Sequence, residues 1–218
     1  MNNFLKNIFI KLLNKEDLSP IDCERLVITI FEKEEIKNIQ LSSLLTLLNQ
    51  KKESYIEILS FVKYLKDKAK KIKISGDLMD TCGTGGDNKN SFNFSTATSI
   101  LLSSFDVKIV KHGNRSVTSK SGSFDVLESL GIKTNIQNSE QHKFFKKHGI
   151  CFLFAPNFHN LLKNVSEVRT SLPFKTIFNL LGPLLNPTNL KYQLLGVSNE
   201  DNLETHAKCL REYNLSKA

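Results

Sequence analysis

Cysteine is scarce in this sequence, and its spacing argues against a metal site or a disulfide framework. Four cysteines occur in 218 residues, at positions 23, 82, 151 and 209, and no two of them form a C-x-x-C pair. Closely spaced cysteines are the sequence sign of zinc sites and of disulfide-rich secreted domains. The pattern is typical of a protein from a reducing cytoplasm.

Long apolar runs are also absent from the sequence. The first residues carry Lys6 and Lys11 within an apolar pattern and lack a small-residue cleavage signature. No stretch approaches the roughly 20 apolar residues that a membrane helix requires. We therefore expect a cytoplasmic protein that does not span a membrane.

Arginine is rare, although the net charge is positive. The chain carries a formal charge of +8, but only four of its 30 basic residues are arginines, and the lysines are scattered. A nucleic-acid-binding surface requires clustered basic side chains. We interpret most of the charge as solvated surface and expect no nucleic-acid partner, while part of it is available to steer polyanionic substrates.

The first part of the chain predicts a small helical domain. Apolar stripes at helical spacing run through Phe4 to Leu13, Pro20 to about Lys33, Leu41 to Leu48 and Ile56 to Leu65. Ser19 precedes Pro20 as an N-cap. A Lys-rich stretch, 66–73, then ends an N-terminal helical domain of residues 1–73.

Residues 74–218 show strand-like runs that alternate with helical patterns, which predicts an α/β domain with a mainly parallel sheet. The predicted strands are Leu78 to Cys82, Val107 to Val110, Lys133 to Ile136, Ile150 to Phe154 and Tyr192 to Val197. The predicted helices start at Ser95 and Ser123 or cover Ser139 to Lys147, Phe158 to Leu172 and Glu200 to Glu212.

A glycine-rich loop follows the first predicted strand. Residues 80–96 read Asp-Thr-Cys-Gly-Thr-Gly-Gly-Asp-Asn-Lys-Asn-Ser-Phe-Asn-Phe-Ser-Thr. Glycines let the backbone adopt positive φ and approach a ligand, and the helix that follows offers unpaired N–H groups. The loop therefore predicts a binding site for phosphate, although a tight strand-to-helix turn without a ligand is the alternative.

Two known phosphate loops do not fit this segment. A Walker loop needs Gly-Lys followed by Ser or Thr, but Lys89 follows Asn88. A dinucleotide fingerprint from Gly83 and Gly85 would place its third glycine where Asn88 stands. The loop is thus of another class.

A second loop of the same kind follows the next strand. Lys111-His-Gly-Asn-Arg-Ser116 and Ser119-Lys-Ser-Gly-Ser123 lead into a helix, Phe124 to Leu130, that Gly131 stops. Parallel strands place their carboxyl ends at one edge of a sheet, so the two loops are expected side by side. One ligand with several phosphates could span both.

Five motifs together resemble one enzyme family. They are Gly83-Thr-Gly-Gly-Asp87, Asn93-Phe-Ser-Thr96, Lys111-His-Gly-Asn-Arg115, Lys120-Ser-Gly-Ser123 and Ile177-Phe-Asn-Leu-Leu-Gly-Pro-Leu-Leu-Asn-Pro187. In order and spacing the chain is similar to anthranilate phosphoribosyltransferase. The resemblance covers essentially all 218 residues. It implies a nucleoside phosphorylase/phosphoribosyltransferase-like fold, a homodimer formed through the helical domain, and Mg²⁺ as cofactor.

The resemblance also implies a reaction. The 5-phosphoribosyl group of 5-phosphoribosyl 1-diphosphate would pass to the amine of anthranilate, in tryptophan biosynthesis. Such a reaction needs alignment of two reactants and stabilisation of the departing diphosphate, and no nucleophilic serine or cysteine.

Site residues are implied by position in the family motifs. For 5-phosphoribosyl 1-diphosphate they are Gly83, Thr84, Gly85, Gly86, Asp87, Asn93, Ser95, Thr96, Lys111 and Ser123, with Ser95 also a magnesium ligand. For anthranilate they are Gly83, Asn114, Arg169, His112 and His159, and the two histidines could line the pocket or shuttle a proton.

Each role has a structural alternative. Ser95 or Thr96 could be only an N-cap, and Lys111 only a solvated cation. Arg169 could be a surface ion-pair partner instead of a fork for a carboxylate.

Departures from the family pattern set a further expectation. Asn160 stands where the family usually has proline, and Leu161-Leu162 where it often has Ala-Met. Family members run further and carry an acidic metal-binding pair that no residue up to Ala218 matches, since Glu200-Asp201 opens the last helix instead. We expect a sheet that is incomplete at the carboxyl terminus, and weak or absent activity for these 218 residues alone.

Two other functions remain open at this point. A pyrimidine nucleoside phosphorylase shares this fold and a glycine-rich phosphate loop but binds a nucleobase. A non-catalytic member that binds nucleic acid would use the basic surface.

Overall fold

The chain divides into two units, Met1–Lys68 with Asn160–Leu181, and Ala69–His159 with Gly182–Ala218. The computed structural model describes residues 3–32, 36–85, 92–116, 122–134 and 136–218. The segment 160–181 thus groups with the N-terminal helices, whereas the sequence assigned it to the α/β domain. The predicted domain boundary at residue 73 stays a prediction.

Secondary structure follows the sequence patterns closely. The helices are α1 (Asn3–Leu13), α2 (Pro20–Phe31), α3 (Asn38–Lys51), α4 (Tyr55–Lys68), α5 (Phe94–Ser103), α6 (Ser123–Ser129), α7 (Asn138–His148), α8 (Ala155–Phe158), α9 (Ser166–Ser171), α10 (Ile177–Leu181) and α11 (Leu203–Arg211). The strands are β1 (Met79–Gly83), β2 (Ile109–Gly113), β3 (Ile150–Phe154) and β4 (Tyr192–Gly196). Three 3₁₀ segments cover Asn160–Val165, Gly182–Leu184 and Glu200–Asn202.

The helical unit buries the apolar stripes that its sequence predicts. Leu5, Ile8 and Leu12 of α1 repeat at helical spacing and are buried, as are the corresponding residues of α2 to α4. Ser19 caps α2 as expected, since its Oγ accepts the Asp22 N–H at 3.2 Å and the Asp22 carboxylate accepts the Ser19 N–H at 3.2 Å.

The other unit is built on a parallel sheet of four strands in the order β3-β2-β1-β4. Alternate residues of a strand face opposite sides of a sheet. Ile109 and Ile150 accordingly join a core with Phe124 and Leu127 of α6, which Phe152 completes. Val110 and Cys151 join a second core with Phe145 and Phe158. The predicted α/β fold with a preceding helical part is confirmed.

Two predicted elements differ from the structure. Lys133, Thr134 and Ile136 carry no strand structure, and residue 135 lies outside the described ranges. Thr134 instead donates its hydroxyl to Glu128 at 2.5 Å, so the short polar segment is used as a loop. The helix predicted for Phe158 to Leu172 is divided, because His159 leaves helical geometry at φ −115° and ψ 66°.

Within the described ranges, no helix combines the length and the apolar character needed to cross a membrane. That finding agrees with the lack of long apolar runs in the sequence.

Candidate active site

The end of β1 is tied directly to the start of α5. The Thr81 hydroxyl donates to the Ser95 carbonyl at 2.6 Å and lies 2.5 Å from the Ser99 hydroxyl. Ser99 in turn donates to the same carbonyl at 2.9 Å. These side chains fix the N-terminus of α5 relative to the carboxyl end of β1, where the glycine-rich loop begins.

Gly83 and Gly85 have geometric reasons to be glycine. A Cβ at Gly83 would lie 3.1 Å from the Gly196 carbonyl oxygen of β4, tighter than ordinary packing allows. Gly85 has φ +62°, a backbone conformation that glycine adopts without cost. Thr84 connects the end of β1 to the end of β4. Its hydroxyl donates to the Ser198 hydroxyl at 3.1 Å, and its N–H donates to the Gly196 carbonyl at 2.9 Å.

The first turn of α5 carries an N-cap and two side-chain hydroxyls. Asn93 caps the helix by accepting the Thr96 N–H at 3.2 Å. Thr96 is 1% exposed, and neither its hydroxyl nor the hydroxyl of the partly buried Ser95 makes a hydrogen bond with any described residue. A buried hydroxyl without a partner carries a desolvation penalty that a ligand oxygen would remove. Helix N-termini also attract anions through their dipole and N–H groups.

The second loop follows β2, the parallel neighbour of β1. The Asn114 carbonyl accepts the Ser123 hydroxyl at 3.2 Å and the Phe124 N–H at 3.3 Å, so the predicted ligands Asn114 and Ser123 are in contact. A Cβ at Gly113 would overlap the Ser123 side chain. The carboxylate of Asp125 closes the base of the loop by accepting the N–H groups of Ser116 at 2.9 Å and Gly122 at 2.6 Å.

Lys111 lies inside the protein. Its side chain is 1% exposed and donates to the Thr81 carbonyl at 2.6 Å, in the field of the buried Asp80. Burial lowers the pKa of Lys111 and raises the pKa of Asp80, while the opposite charges counteract both shifts. The alternative of a solvated cation is therefore wrong, and the role of Lys111 as a phosphate ligand stays a prediction.

Asp80 joins three parts of the unit through hydrogen bonds. Its two carboxylate oxygens accept the His112 backbone N–H at 3.3 Å and the Asn186 amide at 2.9 Å. The same amide donates to the Val110 carbonyl at 2.8 Å, and the amide oxygen accepts both the N–H and the hydroxyl of Thr188. Asp80 and Asn186 therefore lock β1, β2 and the segment after Pro183 together.

The two predicted pocket histidines are neighbours. The rings of His112 and His159 lie edge to face with centroids 5.3 Å apart, and both side chains are buried. His159 Nε2 lies 2.8 Å from the Leu185 carbonyl oxygen, which requires that Nε2 carry the proton. When the ring is neutral, His159 is therefore the Nε2–H tautomer.

Arg169 belongs to the helical unit, on α9. Its guanidinium carbon lies 5.1 Å from the centroid of the Phe178 ring, and its buried Nε makes no hydrogen bond with any residue that the structure describes. Burial lowers the pKa of Arg169. No described residue forms an ion pair with it, so the surface ion-pair alternative is not supported.

Some predicted residues lie outside the description. Gly86 and Asp87 fall in the gap between residues 85 and 92. Among the residues that the structure describes, no three His, Cys, Asp or Glu side chains cluster as metal ligands. The Ser95 hydroxyl is chemically suited to contribute one oxygen ligand, since it is partly accessible and makes no hydrogen bond with described residues.

Sequence reasoning did not identify three residues that support this region by hydrogen bonds. They are Asp80, Asp125 and Asn186, whose side chains bind strand and loop segments of the α/β unit. Asp80 and Asn186 stand inside the quoted motifs, yet nothing in their spacing reveals that they pair across 106 residues.

Comparisons with known proteins agree with this geometry. The Glycosyl transferase family, a/b domain, matches residues 75–218, and the helical bundle domain of the same family matches residues 6–69. Among solved structures, anthranilate phosphoribosyltransferase from Thermus thermophilus has a TM-score of 0.86 and 30% identity, over 95% of this chain and 63% of its own. The Saccharomyces cerevisiae enzyme in complex with PRPP and Mg also has a TM-score of 0.86, with 29% identity, over 98% and 64%.

Curated relatives carry the same name. The anthranilate phosphoribosyltransferase of Petrotoga mobilis is 44% identical over 95% of this chain and 60% of its own length. That of Bacillus caldotenax is 44% identical over 81% of this chain and 73% of its own. The chain spans about 60% of the length of the first relatives it matches. The described fold, the glycine-rich strand ends and these matches together show that the chain belongs to the anthranilate phosphoribosyltransferase family.

Proposed function

We propose that this protein transfers the 5-phosphoribosyl group of 5-phosphoribosyl 1-diphosphate to the amine of anthranilate, as a step of L-tryptophan biosynthesis. The bond between ribose C1 and the diphosphate oxygen breaks, and the amine nitrogen forms the new bond to C1. The amine loses a proton, and the products are N-(5-phosphoribosyl)anthranilate and diphosphate. The observation that carries the proposal is the partly buried Arg169 guanidinium without a carboxylate partner among the described residues, in a chain of this family.

The phosphate-bearing substrate is assigned to the α/β unit. Thr96, Ser95 and the N-terminus of α5 supply hydroxyl and N–H donors at the carboxyl end of β1. Such fixed donors stabilise charge that grows on a departing diphosphate. The cation of Lys111, held on the Thr81 carbonyl, raises the local potential at this strand end.

Mg²⁺ is the proposed cofactor, and Ser95 is the described residue that would bind it. The yeast relative was solved in complex with PRPP and Mg. Magnesium takes few protein ligands, keeps substrate phosphate oxygens in its shell and neutralises charge on the leaving group. Asp87, which the family motif also places near the substrate, lies outside the described residues.

Arg169 is the proposed partner of the anthranilate carboxylate. A guanidinium offers a planar fork of donors that matches two carboxylate oxygens. Because the cation is partly desolvated and unpaired among described residues, binding an anion there does not require breaking an existing ion pair.

The test compares Arg169→Ala with a matched arginine. Arg25 also lies over a ring, with its guanidinium carbon 4.2 Å from the Phe4 centroid, but it was assigned no ligand role. We expect Arg169→Ala to weaken anthranilate binding at least tenfold, since a charge-assisted contact contributes about 1.5–3 kcal/mol. Arg25→Ala should leave it within twofold. Anthranilate binding is measured by fluorescence titration, with saturating diphosphate and Mg²⁺ in place of 5-phosphoribosyl 1-diphosphate, so that no turnover consumes the anthranilate.

A second measurement concerns the phosphate substrate. Calorimetry of 5-phosphoribosyl 1-diphosphate with Mg²⁺ should show saturable binding to the folded chain, and product formation is followed by loss of anthranilate fluorescence. The absence of binding heat from the folded protein would contradict the proposed function.

We also propose that the protein is a homodimer, formed through the helical unit, in the cytoplasm. Ile10 and Leu13 of α1 and Ile21 of α2 are exposed apolar side chains in that unit. The four buried thiols agree with a reducing compartment. Sedimentation of the wild-type chain and of Ile21→Lys, which should shift the mass toward monomer, tests the assembly.

A further inference from the structure

We propose that Phe178 is a positioning residue, whose ring holds the Arg169 guanidinium ready for the carboxylate of the acceptor. The inference deepens the proposed function and rests on the acceptor role proposed there for Arg169. It concerns how one side chain is oriented, not a new contact with substrate.

The ring face is the partner that the structure gives to this cation. The Arg169 guanidinium carbon lies 5.1 Å from the Phe178 centroid, inside the range of about 6 Å for an energetically significant cation–π contact. Phe178 is 4% exposed, so the contact is shielded from water. No carboxylate among the described residues pairs with Arg169.

An aromatic ring can orient the Arg169 guanidinium and leave its N–H donors available, which a carboxylate partner could not. A protein carboxylate would occupy the N–H fork and compete with the acceptor carboxylate. An aromatic ring under the guanidinium interacts with its π face and leaves the in-plane N–H donors available. The Nε–H of Arg169, which makes no hydrogen bond within the described part of the chain, is one such donor.

The ring is itself fixed by two neighbouring aromatic residues. Phe31 and Phe61 pack edge to face against Phe178, with centroids at 6.2 Å and 6.1 Å and interplanar angles of 81° and 78°. Tyr64 stacks on Phe31 at 5.9 Å. Edge-to-face packing from two sides restricts rotation of the ring.

The backbone of Phe178 is also held in register. α10 has only five residues, so a helix of this length needs support from outside its own hydrogen bonds. The Asn179 side chain accepts the Thr176 N–H at 2.9 Å, which closes the first turn. Ile177 and Leu181 are fully buried and anchor the helix on either side of Phe178.

The experiment uses two matched phenylalanines in the full chain. Phe178→Leu removes the ring under Arg169, while Phe61→Leu removes a ring that touches Phe178 but is not seen over Arg169. Both side chains are buried, so both variants carry a similar loss of packing. Arg169→Ala is included as the reference for complete loss of the cation.

Anthranilate affinity gives the first readout, by fluorescence titration with saturating diphosphate and Mg²⁺ in place of 5-phosphoribosyl 1-diphosphate. We expect Phe178→Leu to weaken binding about fivefold to tenfold, the range of a shielded cation–π contact, and Phe61→Leu to stay within twofold. If the two leucine variants weaken binding equally, or Phe178→Leu leaves it unchanged while Arg169→Ala does not, the positioning role is wrong.

The ligand-free Arg169 Nε–Hε resonance gives the second readout by NMR. The Phe178 ring current should shift this proton upfield in wild type and in Phe61→Leu, but not in Phe178→Leu. An unshifted resonance in wild type would overturn the inference whatever the affinities. If anthranilate does not bind, or binds regardless of Arg169→Ala, the proposed acceptor role fails, and the resonance alone then decides whether the ring holds the guanidinium.

Discussion

Two buried threonine hydroxyls, those of Thr81 and Thr96, differ in their hydrogen bonding. The Thr81 hydroxyl contacts the Ser95 carbonyl and the Ser99 hydroxyl, whereas the Thr96 hydroxyl has no hydrogen bond among the described residues. Both residues are at most 1% exposed. Buried polar groups are normally satisfied, so the exception at Thr96 supports the proposed role of its hydroxyl as a phosphate ligand.

Valine substitutions at the two positions should therefore have opposite effects. Thr96→Val should leave the free energy of unfolding unchanged or raise it by up to about 1 kcal/mol, because it removes an unsatisfied buried group. Thr81→Val should lower the free energy of unfolding by about 1–3 kcal/mol, because Ser95 and Ser99 lose a partner. Urea denaturation measures both.

Substrate binding gives a second test of the Thr96 hydroxyl. We expect Thr96→Val to weaken the binding of 5-phosphoribosyl 1-diphosphate by about tenfold, the value of one hydrogen bond to a charged oxygen. A Thr96→Val protein that is destabilised but binds normally would mean that the hydroxyl serves the fold.

At the scale of elements, glycine ends helices where the chain must turn sharply. Gly149 follows α7 with φ +69° and ψ 2°, and its N–H donates to the Phe145 carbonyl at 2.8 Å. β3 starts at the very next residue, Ile150, and pairs with Ile109 of β2. The left-handed residue thus joins α7 to the strand that borders the second loop.

Gly149→Ala should lower the free energy of unfolding by about 1 kcal/mol. An added Cβ meets nothing within 4 Å, so the cost is that of the left-handed backbone alone. Gly182 is the matched control, since a Cβ there also meets nothing within 4 Å and its φ is not in the left-handed region. Gly182→Ala should be neutral or stabilising by up to about 1 kcal/mol. Equal losses in both variants would contradict this explanation.

At the scale of the whole molecule, both units bury their thiols. Cys23 lies in the helical unit, and Cys82, Cys151 and Cys209 lie in the α/β unit. Burial raises the pKa of Cys23, Cys151 and Cys209 to about 12, and that of Cys82 well above its usual value. The thiolate is the reactive form of cysteine, so none of the four should be nucleophilic in the folded state.

A thiol titration therefore tests the folding of both units at once. At pH 8 the native protein should react with an aromatic disulfide reagent only on the timescale of unfolding, and all four thiols should react promptly in urea. Prompt reaction of one thiol in the native protein would show that its unit opens far more readily than the packed cores imply.

The alternatives left open by the sequence are not favoured by the relatives. The four relatives named above are all called anthranilate phosphoribosyltransferase, and none is named as a nucleoside phosphorylase or a nucleic-acid-binding protein. The matched relatives extend beyond the part that this chain covers, so the activity of these 218 residues stays a proposal for experiment.

Much of the fold could be predicted because its signals are local. Apolar spacing identified α1 to α4, and Ser19-Pro20 set the start of α2. Strand-like runs identified all four strands of the described sheet. The strand predicted at Lys133 to Ile136 failed, because a short polar run can satisfy its backbone equally well as a loop.

The sequence by itself determined the helical and α/β parts, the glycine-rich strand ends and the family, because each depends on residues close together in the chain or on motifs in fixed order. Only the tertiary structure decided that Lys111 is buried beside Asp80, that Asn186 bonds to Asp80, and that Phe178 lies under Arg169. Burial and pairing depend on which distant segments fold against each other, and that information is spread over the whole chain. The same holds for the burial of the Thr96 hydroxyl, which no described residue hydrogen-bonds.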